Sequence, residues 1–142
     1  MTHIRRSILK EIREQIKASP VFAGVWIQRI PPVRIAFPSV TLYAETEVID
    51  YLIINNIPRQ QERKLTVAVA AWIKGTPDDE KAESDMDAAA LIIEELVHRP
   101  ELANECVLVG IDFQVAENDP EIHIVTLTYQ VSYFCIEFEP RI

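Results

Sequence analysis

Residues Glu121–Glu139 read EIHIVTLTYQVSYFCIEFE and contain neither glycine nor proline. Within Val125–Cys135 the odd positions are apolar, and within Thr126–Ser132 the even positions are polar. This period of two predicts a long β-strand with one face on a core and the other turned outward. Near the end the outward positions also become apolar, with Phe134, Ile136 and Phe138. We therefore expect the first part of the stretch to build a sheet and its last part to contact a neighbouring subunit.

The composition is that of an ordinary soluble domain and argues against several classes of protein. A length of 142 residues corresponds to a single domain, 1–142. Three glycines leave little room for a glycine-rich nucleotide-binding loop. No apolar run approaches the ~20 residues of a membrane span, and the charged N-terminus differs from a secretory signal. Two cysteines, Cys106 and Cys135, predict buried free thiols and synthesis in the cytoplasm.

The charges are distributed unevenly along the chain. Residues 1–34 hold seven Lys or Arg against two acids, a net of +5, whereas residues 35–142 hold seven against twenty, a net of −13. An acidic protein is a poor candidate for sequence-independent DNA binding. The asymmetry has two interpretations: solvated helix faces that happen to differ in sign, or a basic end that meets an acidic end of a neighbouring copy. Such a head-to-tail contact closes into a ring if the rotation permits.

The other elements follow from apolar periodicity and from helix boundary signals. A first helix, capped by Thr2 and ending near Ser19, carries isoleucines every four residues. A second helix begins at Thr76-Pro77, with Asp79 in the capping-box position. The other predicted strands are Val25–Ile30, Ser39–Tyr43, Leu65–Lys74 and Val107–Val115. The order α-β-β-β-α-β-β predicts an α+β fold, a mainly antiparallel or mixed five-stranded sheet with both main helices packed on one face.

The segment 45–63, ETEVIDYLIINNIPRQQER, concentrates large apolar side chains between the second and third strands. It can extend these strands as a hairpin, fold over the core, or form a projecting arm with an apolar tip. A partner would then cover the tip, because large exposed apolar patches are otherwise rare.

No enzyme signature is present in the sequence. The histidines His3, His98 and His123 and the two cysteines show none of the spacings typical of zinc sites. The serines lack a GxSxG context. We therefore assign no catalytic, cofactor-binding or metal-binding residue and expect a protein that is not an enzyme. One alternative is that the acidic residues take up a cation such as Mg²⁺ at a subunit seam.

Several short patterns occur in a recognisable order. They are Phe37-Pro38-Ser39-Val40-Thr41-Leu42-Tyr43, then Glu45 or Glu47, Arg63-Lys64-Leu65-Thr66-Val67, an acidic helix with Asp85 and Asp87, Pro100-Glu101-Leu102, Val107–Ile111, and a closing strand with Val131 and Tyr133. In this order the chain resembles the tail terminator, or tail completion, proteins of long-tailed bacteriophages. The segment Val48–Ile57 and the Phe134–Phe138 extension depart from that pattern.

The resemblance implies a virion protein, assembled in the host cytoplasm, that forms a ring, commonly a hexamer, on the head-proximal end of the tail. Such a ring stops polymerisation of the major tail tube protein, joins the neck or head-tail connector, and lets DNA pass through its lumen without sequence-specific binding. The predicted subunit interface consists of Arg5, Arg6, Arg13, Phe134, Ile136 and Phe138, and the predicted tail-tube contact consists of Tyr51, Leu52, Ile53 and Ile54. Two alternatives are another small neck or connector component and a dimeric α+β module that holds a small ligand between sheet and helix.

Overall fold

The computed structural model describes residues 2–32, 36–52, 58–76 and 80–141. The elements in chain order are α1 (Ile4–Lys17), β1 (Val25–Ile27), β2 (Ser39–Tyr51), β3 (Gln60–Lys74), α2 (Glu80–Leu96), β4 (Glu105–Ala116) and β5 (Asp119–Ile136). The predicted order of elements and the α+β class are confirmed.

The five strands form one mixed sheet in the order β1-β2-β3-β5-β4. Every neighbouring pair is antiparallel except β1 with β2, which is parallel. The predicted alternation of β5 is also confirmed, because its odd positions from His123 to Cys135 are buried. β5 lies between β3 and β4, so its backbone is hydrogen-bonded on both sides.

Both helices pack on the same face of the sheet, which we call the helix side. α1 lies over β1 and β2, and α2 lies over β3 and β5. The isoleucine stripe of α1 is buried together with Leu9, and the small side chains of α2 allow it to approach the sheet closely. The opposite face, which we call the open face, carries no layer of described residues.

Several boundaries differ from the predictions. His3, not Thr2, caps α1, because its Nδ1 accepts a hydrogen bond of 3.0 Å from the Arg5 amide. β1 ends at Ile27 rather than Ile30, and β2 continues to Tyr51 rather than ending at Tyr43. The predicted cap residues Pro77 and Asp79 lie outside the described residues.

The lengthening of β2 and β3 accounts for much of the segment 45–63. Thr46 pairs with Thr66 and Tyr51 pairs with Gln61, so the two strands remain antiparallel partners across this region. Their backbone groups are satisfied by each other, which stabilises both strands even where their side chains are charged, as at Glu47, Asp50 and Glu62. Residues 53–57, which join them, lie outside the described residues.

Candidate functional site

A β-bulge in β2 redirects the second half of that strand. The register shifts between Ala44 and Thr46, so Glu45 is the additional residue. Ala44 pairs with Val67 and Glu47 pairs with Leu65, and all four therefore lie on the helix side. Without the extra residue Glu47 would point to the open face, because side chains alternate along a strand.

Glu47 is the centre of a buried polar network. Its carboxylate accepts hydrogen bonds from Arg5 Nη1 at 3.1 Å, from Arg63 Nη1 at 3.0 Å and from the Tyr133 hydroxyl at 2.5 Å. The Arg63 guanidinium also donates two hydrogen bonds to Gln61 Oε1, at 3.1 and 3.0 Å. The network therefore ties α1, β2, β3 and β5 together at one end of the sheet.

The environment fixes the protonation states in this network. Burial, followed by the hydrogen bond to Glu47, raises the pKa of Tyr133, so the phenol stays neutral and acts as a donor. Burial, followed by the nearby charge of Arg5, lowers the pKa of His3, which favours the neutral imidazole that caps α1. A neutral phenol that donates to a carboxylate paired with two arginines is a structural arrangement.

A second ion pair joins Glu137, just after β5, to Arg59, just before β3. Arg59 donates hydrogen bonds of 2.9 and 3.2 Å to the buried Glu137 carboxylate, and its amide donates a third of 3.1 Å. The same guanidinium lies over the Tyr51 ring, with 4.6 Å from Cζ to the ring centroid. Because three segments meet at one guanidinium, this end of the sheet is well fixed.

Five large apolar side chains are exposed around these anchors. We call this set, Tyr51, Leu52, Phe134, Ile136 and Phe138, the apolar end; its members are between 43% and 75% exposed. Phe134 and Ile136 pair with Glu62 and Gln60 and lie on the open face. A groove of about 360 Å³ is lined by Leu52, Gln60, Phe134, Cys135 and Ile136. An exposed apolar surface on a fixed framework is typical of a contact with another protein.

Phe138 has an unusual backbone. Its φ is +70°, in the left-handed region that residues other than glycine and asparagine rarely adopt. Its ring is 75% exposed, so packing within the protomer does not repay this conformation. The turn is closed by a hydrogen bond of 2.9 Å from the Glu139 amide to the Ile136 carbonyl. A strained and exposed aromatic residue is more consistent with a contact role than with a structural one.

The residues predicted for the subunit interface do not lie at opposite ends of the protomer. The Ile4 amide donates to the Pro140 carbonyl at 3.0 Å, and His3 bridges to Arg141, so the start of α1 lies beside the chain end. Arg5 is in that corner and is engaged by Glu47, whereas Arg13 contacts Glu14 farther along the helix. Arg6 is exposed. The subunit interface stays a prediction.

The predicted tail-tube residues are partly described. Tyr51 and Leu52 belong to the apolar end, and Ile53 and Ile54 lie outside the described residues. Leu52 lines the same groove as Phe134 and Ile136, so the surfaces predicted separately at Tyr51–Ile54 and Phe134–Phe138 meet at Leu52. Tyr51 pairs with Gln61 and lies on the helix side, at the same end of the sheet. Sequence reasoning could not find this adjacency, since it depends on register across three strands.

A groove of about 570 Å³ lies between α2 and the end of β3. Its wall includes Phe37, Ile73, Ala89 and Ile92, and Lys74 and Asp85 are also at the groove. The alternative prediction, a module that holds a small ligand between sheet and helix, would place its ligand in this groove. Within residues 2–32, 36–52, 58–76 and 80–141, no group of three His, Cys, Asp or Glu side chains is arranged to hold a metal ion. None of the helices in the described part of the chain is long and apolar enough to cross a membrane.

Comparison with known proteins gives a likeness of fold. No protein-family model matches the sequence, and no curated protein matches it. Among solved structures, a chain from the virion of a native gene transfer agent particle aligns with a TM-score of 0.61 and 12% identity, over 94% of this chain and 97% of that chain. A second solved structure, whose description states no function, aligns with a TM-score of 0.50 and 15% identity, over 97% and 96% of the two chains. The chain therefore shares its fold, over nearly its whole length, with a chain of a gene transfer agent virion.

Proposed function

We propose that this chain is a structural protein of a phage-like virion, and that copies of it form a ring on the head-proximal end of the tail tube. The observation that carries the proposal is the likeness to a gene transfer agent virion chain, which leaves almost nothing of either chain unaligned. The finer role of tail terminator is supported by the order of short sequence patterns, of which Ser39–Tyr43 opens β2 and Val131-Ser132-Tyr133 lies in β5.

The apolar end is the surface that we assign to the tube. It is exposed, and it is held by the Arg59–Glu137 and Glu47 networks, so little ordering would be needed on binding. Because Leu52, Phe134 and Ile136 line one groove and Tyr51 lies at the same end of the sheet, we treat the two predicted contacts as one end surface. A ring that presents several copies of one apolar surface to matching subunits of a tube gains from multivalency.

The chain acts in this proposal by assembly and not by catalysis. The buried polar groups with unusual environments, Glu47, Arg63 and Tyr133, are engaged with one another. DNA would pass through the opening of the ring without sequence-specific contacts. Acidic side chains outnumber basic ones on the open face, with Asp50, Glu62, Glu105 and Asp112 against Lys64 and Lys74. Acids facing the opening would repel phosphate.

Capping of the tube is the decisive experiment. The protein is mixed with its purified major tail tube protein during polymerisation, and tube ends and lengths are recorded by negative-stain electron microscopy. We expect a ring on one end and a narrow length distribution; uncapped tubes of unlimited length would refute the proposal. The variant Leu52→Ser with Ile136→Ser should abolish capping. Leu91→Ser, at an exposed position on α2 remote from the apolar end, is the matched control.

A neck or connector component of the virion remains the nearest alternative, because it would use the same fold with a different neighbour. Mixing with the portal and neck proteins distinguishes the two, since a connector should bind these and leave tube length unchanged. The ligand-binding alternative is supported by the groove of about 570 Å³ beside α2. Native mass spectrometry of a dimer with a retained small molecule would favour that alternative over a ring.

A further inference from the structure

β4 is an edge strand that the helices leave largely uncovered. It pairs with β5 along one side, and no strand in the described part of the chain pairs with its other side. A Cβ atom built on Gly110, which pairs with Thr128, would meet nothing within 4 Å, so the open face is uncovered at the middle of the strand. Its free edge offers a row of unpaired backbone N–H and C=O groups.

The side chains of this edge are unusually apolar for a strand that faces solvent. Ile111, Phe113 and Val115 pair with odd-numbered β5 residues and lie on the helix side, beyond the cover of α2, and Phe113 is 53% exposed. Val109 is the additional residue of a β-bulge and is exposed as well. Lysine and proline, which often protect edges, are absent from β4, and the bulge at Val109 and the acids Glu105 and Asp112 are its protection. The exposed apolar side chains make the edge a candidate for a contact with another protein.

The charged side chains of β4 and of the turn that follows it are all acidic. Residues 105–121 contain no Lys or Arg and five acids, which are Glu105, Asp112, Glu117, Asp119 and Glu121. Glu105 and Asp112 lie on β4 itself and are exposed. A partner for this edge must therefore combine apolar surface with positive charge.

The opposite edge of the same sheet has that combination. A groove of about 270 Å³ lies between the start of α1 and the β1 edge, and its lining includes Arg5, Arg6, Leu9, Ile27 and Arg29. Lys10 continues the basic surface one turn beyond Arg6. β1 pairs with β2 only as far as Leu42, so the outer edge of β2 beyond this point is also without a partner strand in the described residues.

We propose that the β4 edge of one copy docks on the basic α1–β1 groove of a second copy. The occupant is a second copy because one sheet carries an acidic apolar edge on one side and, on the other, a basic groove beside the half-buried Ile27. Phe113 is the side chain best suited to enter the groove, where arginine side chains can contact its ring. The contact is heterologous and can close into a ring, and the inference rests in that respect on the proposed function.

Charge reversal with mixing tests the contact. Glu105→Lys with Asp112→Lys reverses the β4 edge, and Arg6→Glu with Lys10→Glu reverses the groove. We expect each variant to lose self-association by sedimentation velocity, alone and with tube protein present, and an equimolar mixture of the two to regain it. Glu83→Lys with Asp87→Lys changes the charge of exposed α2 positions by the same amount and should leave association intact. A wild-type protein that stays monomeric in both conditions, or a mixture that stays dissociated, overturns the inference.

A photo-crosslinking residue in place of Phe113 gives an independent readout. We expect cross-links between copies, with the second site in residues 5–29; cross-links confined to another segment overturn the inference. Failure here is separable from failure of the proposed function. If the charge-reversal variants still form rings and cap tubes, the β4 contact alone is rejected. If rings assemble through β4 but leave tubes uncapped, the terminator role alone is rejected.

Discussion

The Tyr133 hydroxyl donates a hydrogen bond of 2.5 Å to Glu47, a residue 86 positions earlier in the chain. Tyr129 lies four residues earlier on the same face of β5 and is also buried. Its hydroxyl has no hydrogen-bond partner among the described residues. The two tyrosines therefore provide a matched pair, in which the same chemical group is satisfied at one position and not at the other.

Removing these hydroxyls should affect the free energy of unfolding differently at the two positions. Tyr133→Phe deletes a donor to a charged, buried acceptor and should lower the free energy of unfolding by about 2 kcal/mol. Tyr129→Phe removes a buried hydroxyl without a partner and should leave it unchanged or raise it by up to ~1 kcal/mol. Urea denaturation monitored by far-UV circular dichroism measures both. Equal losses for the two variants would contradict the importance of the Glu47 network.

The stability of the protein should fall at alkaline pH. Burial raises the pKa of the Cys106 thiol to about 11, from an ordinary value of 9.0, and burial also raises the pKa of Tyr129 and of Tyr133. The unfolded chain loses these protons at lower pH than the folded chain does. The unfolding free energy is therefore retained below about pH 9 and declines as the pH rises from there through about 11.

Chemical denaturation across this pH range tests the prediction. Cys106→Val should flatten the beginning of the decline, because it removes one of the two thiols that ionise before the tyrosines in the unfolded chain. Cys135 serves for comparison with Cys106, because burial raises the pKa of its thiol as well. A wild-type stability that is constant up to about pH 11 would show that these groups remain solvated in the folded protein.

Two glycines should respond differently to substitution by alanine. A Cβ atom at Gly75 would lie 2.7 Å from the Cβ of Ala82 on α2, and alanine has no flexible side chain that could move away. Gly75→Ala should therefore cost about 1–3 kcal/mol through forced separation of helix and sheet. Gly110→Ala meets open space and should be neutral or stabilising by up to ~1 kcal/mol. Thermal unfolding of both variants measures the difference, and similar midpoints would argue against close packing of α2.

The sequence was sufficient for the elements whose periodicity reflects burial on one side. The alternation in β5 and the isoleucine stripe of α1 predicted a strand and a helix that the structure confirms, because both face the core directly. The length of β2 could not be predicted in the same way. Its second half has charged side chains, and what keeps it extended is backbone pairing with β3 together with the bulge at Glu45.

The surfaces were less predictable than the fold. β4 reads as an ordinary strand, and nothing in its apolar alternation distinguishes an edge strand from a central one. Only the order β1-β2-β3-β5-β4 places it at the side of the sheet. In the same way, Arg59 and Glu137 give no local signal of being partners, since their pairing depends on where β3 begins and β5 ends.

Phe138 allows the fold to be separated from the proposed contact. Phe138→Gly should raise the stability of the protomer by up to ~1 kcal/mol, because glycine adopts φ near +70° without strain and the exposed ring contributes little burial. The same variant should weaken capping of the tail tube, because it removes the most exposed aromatic ring of the apolar end. Phe138→Leu, which keeps an apolar side chain and the backbone strain, should cap tubes nearly as well as the wild type without any gain in stability. Differential scanning calorimetry and tube-length measurements on the same preparations test both effects. A Phe138→Gly protein that is more stable and still caps tubes normally would remove Phe138 from the contact, and a destabilised one would show that the ring packs in the folded protomer.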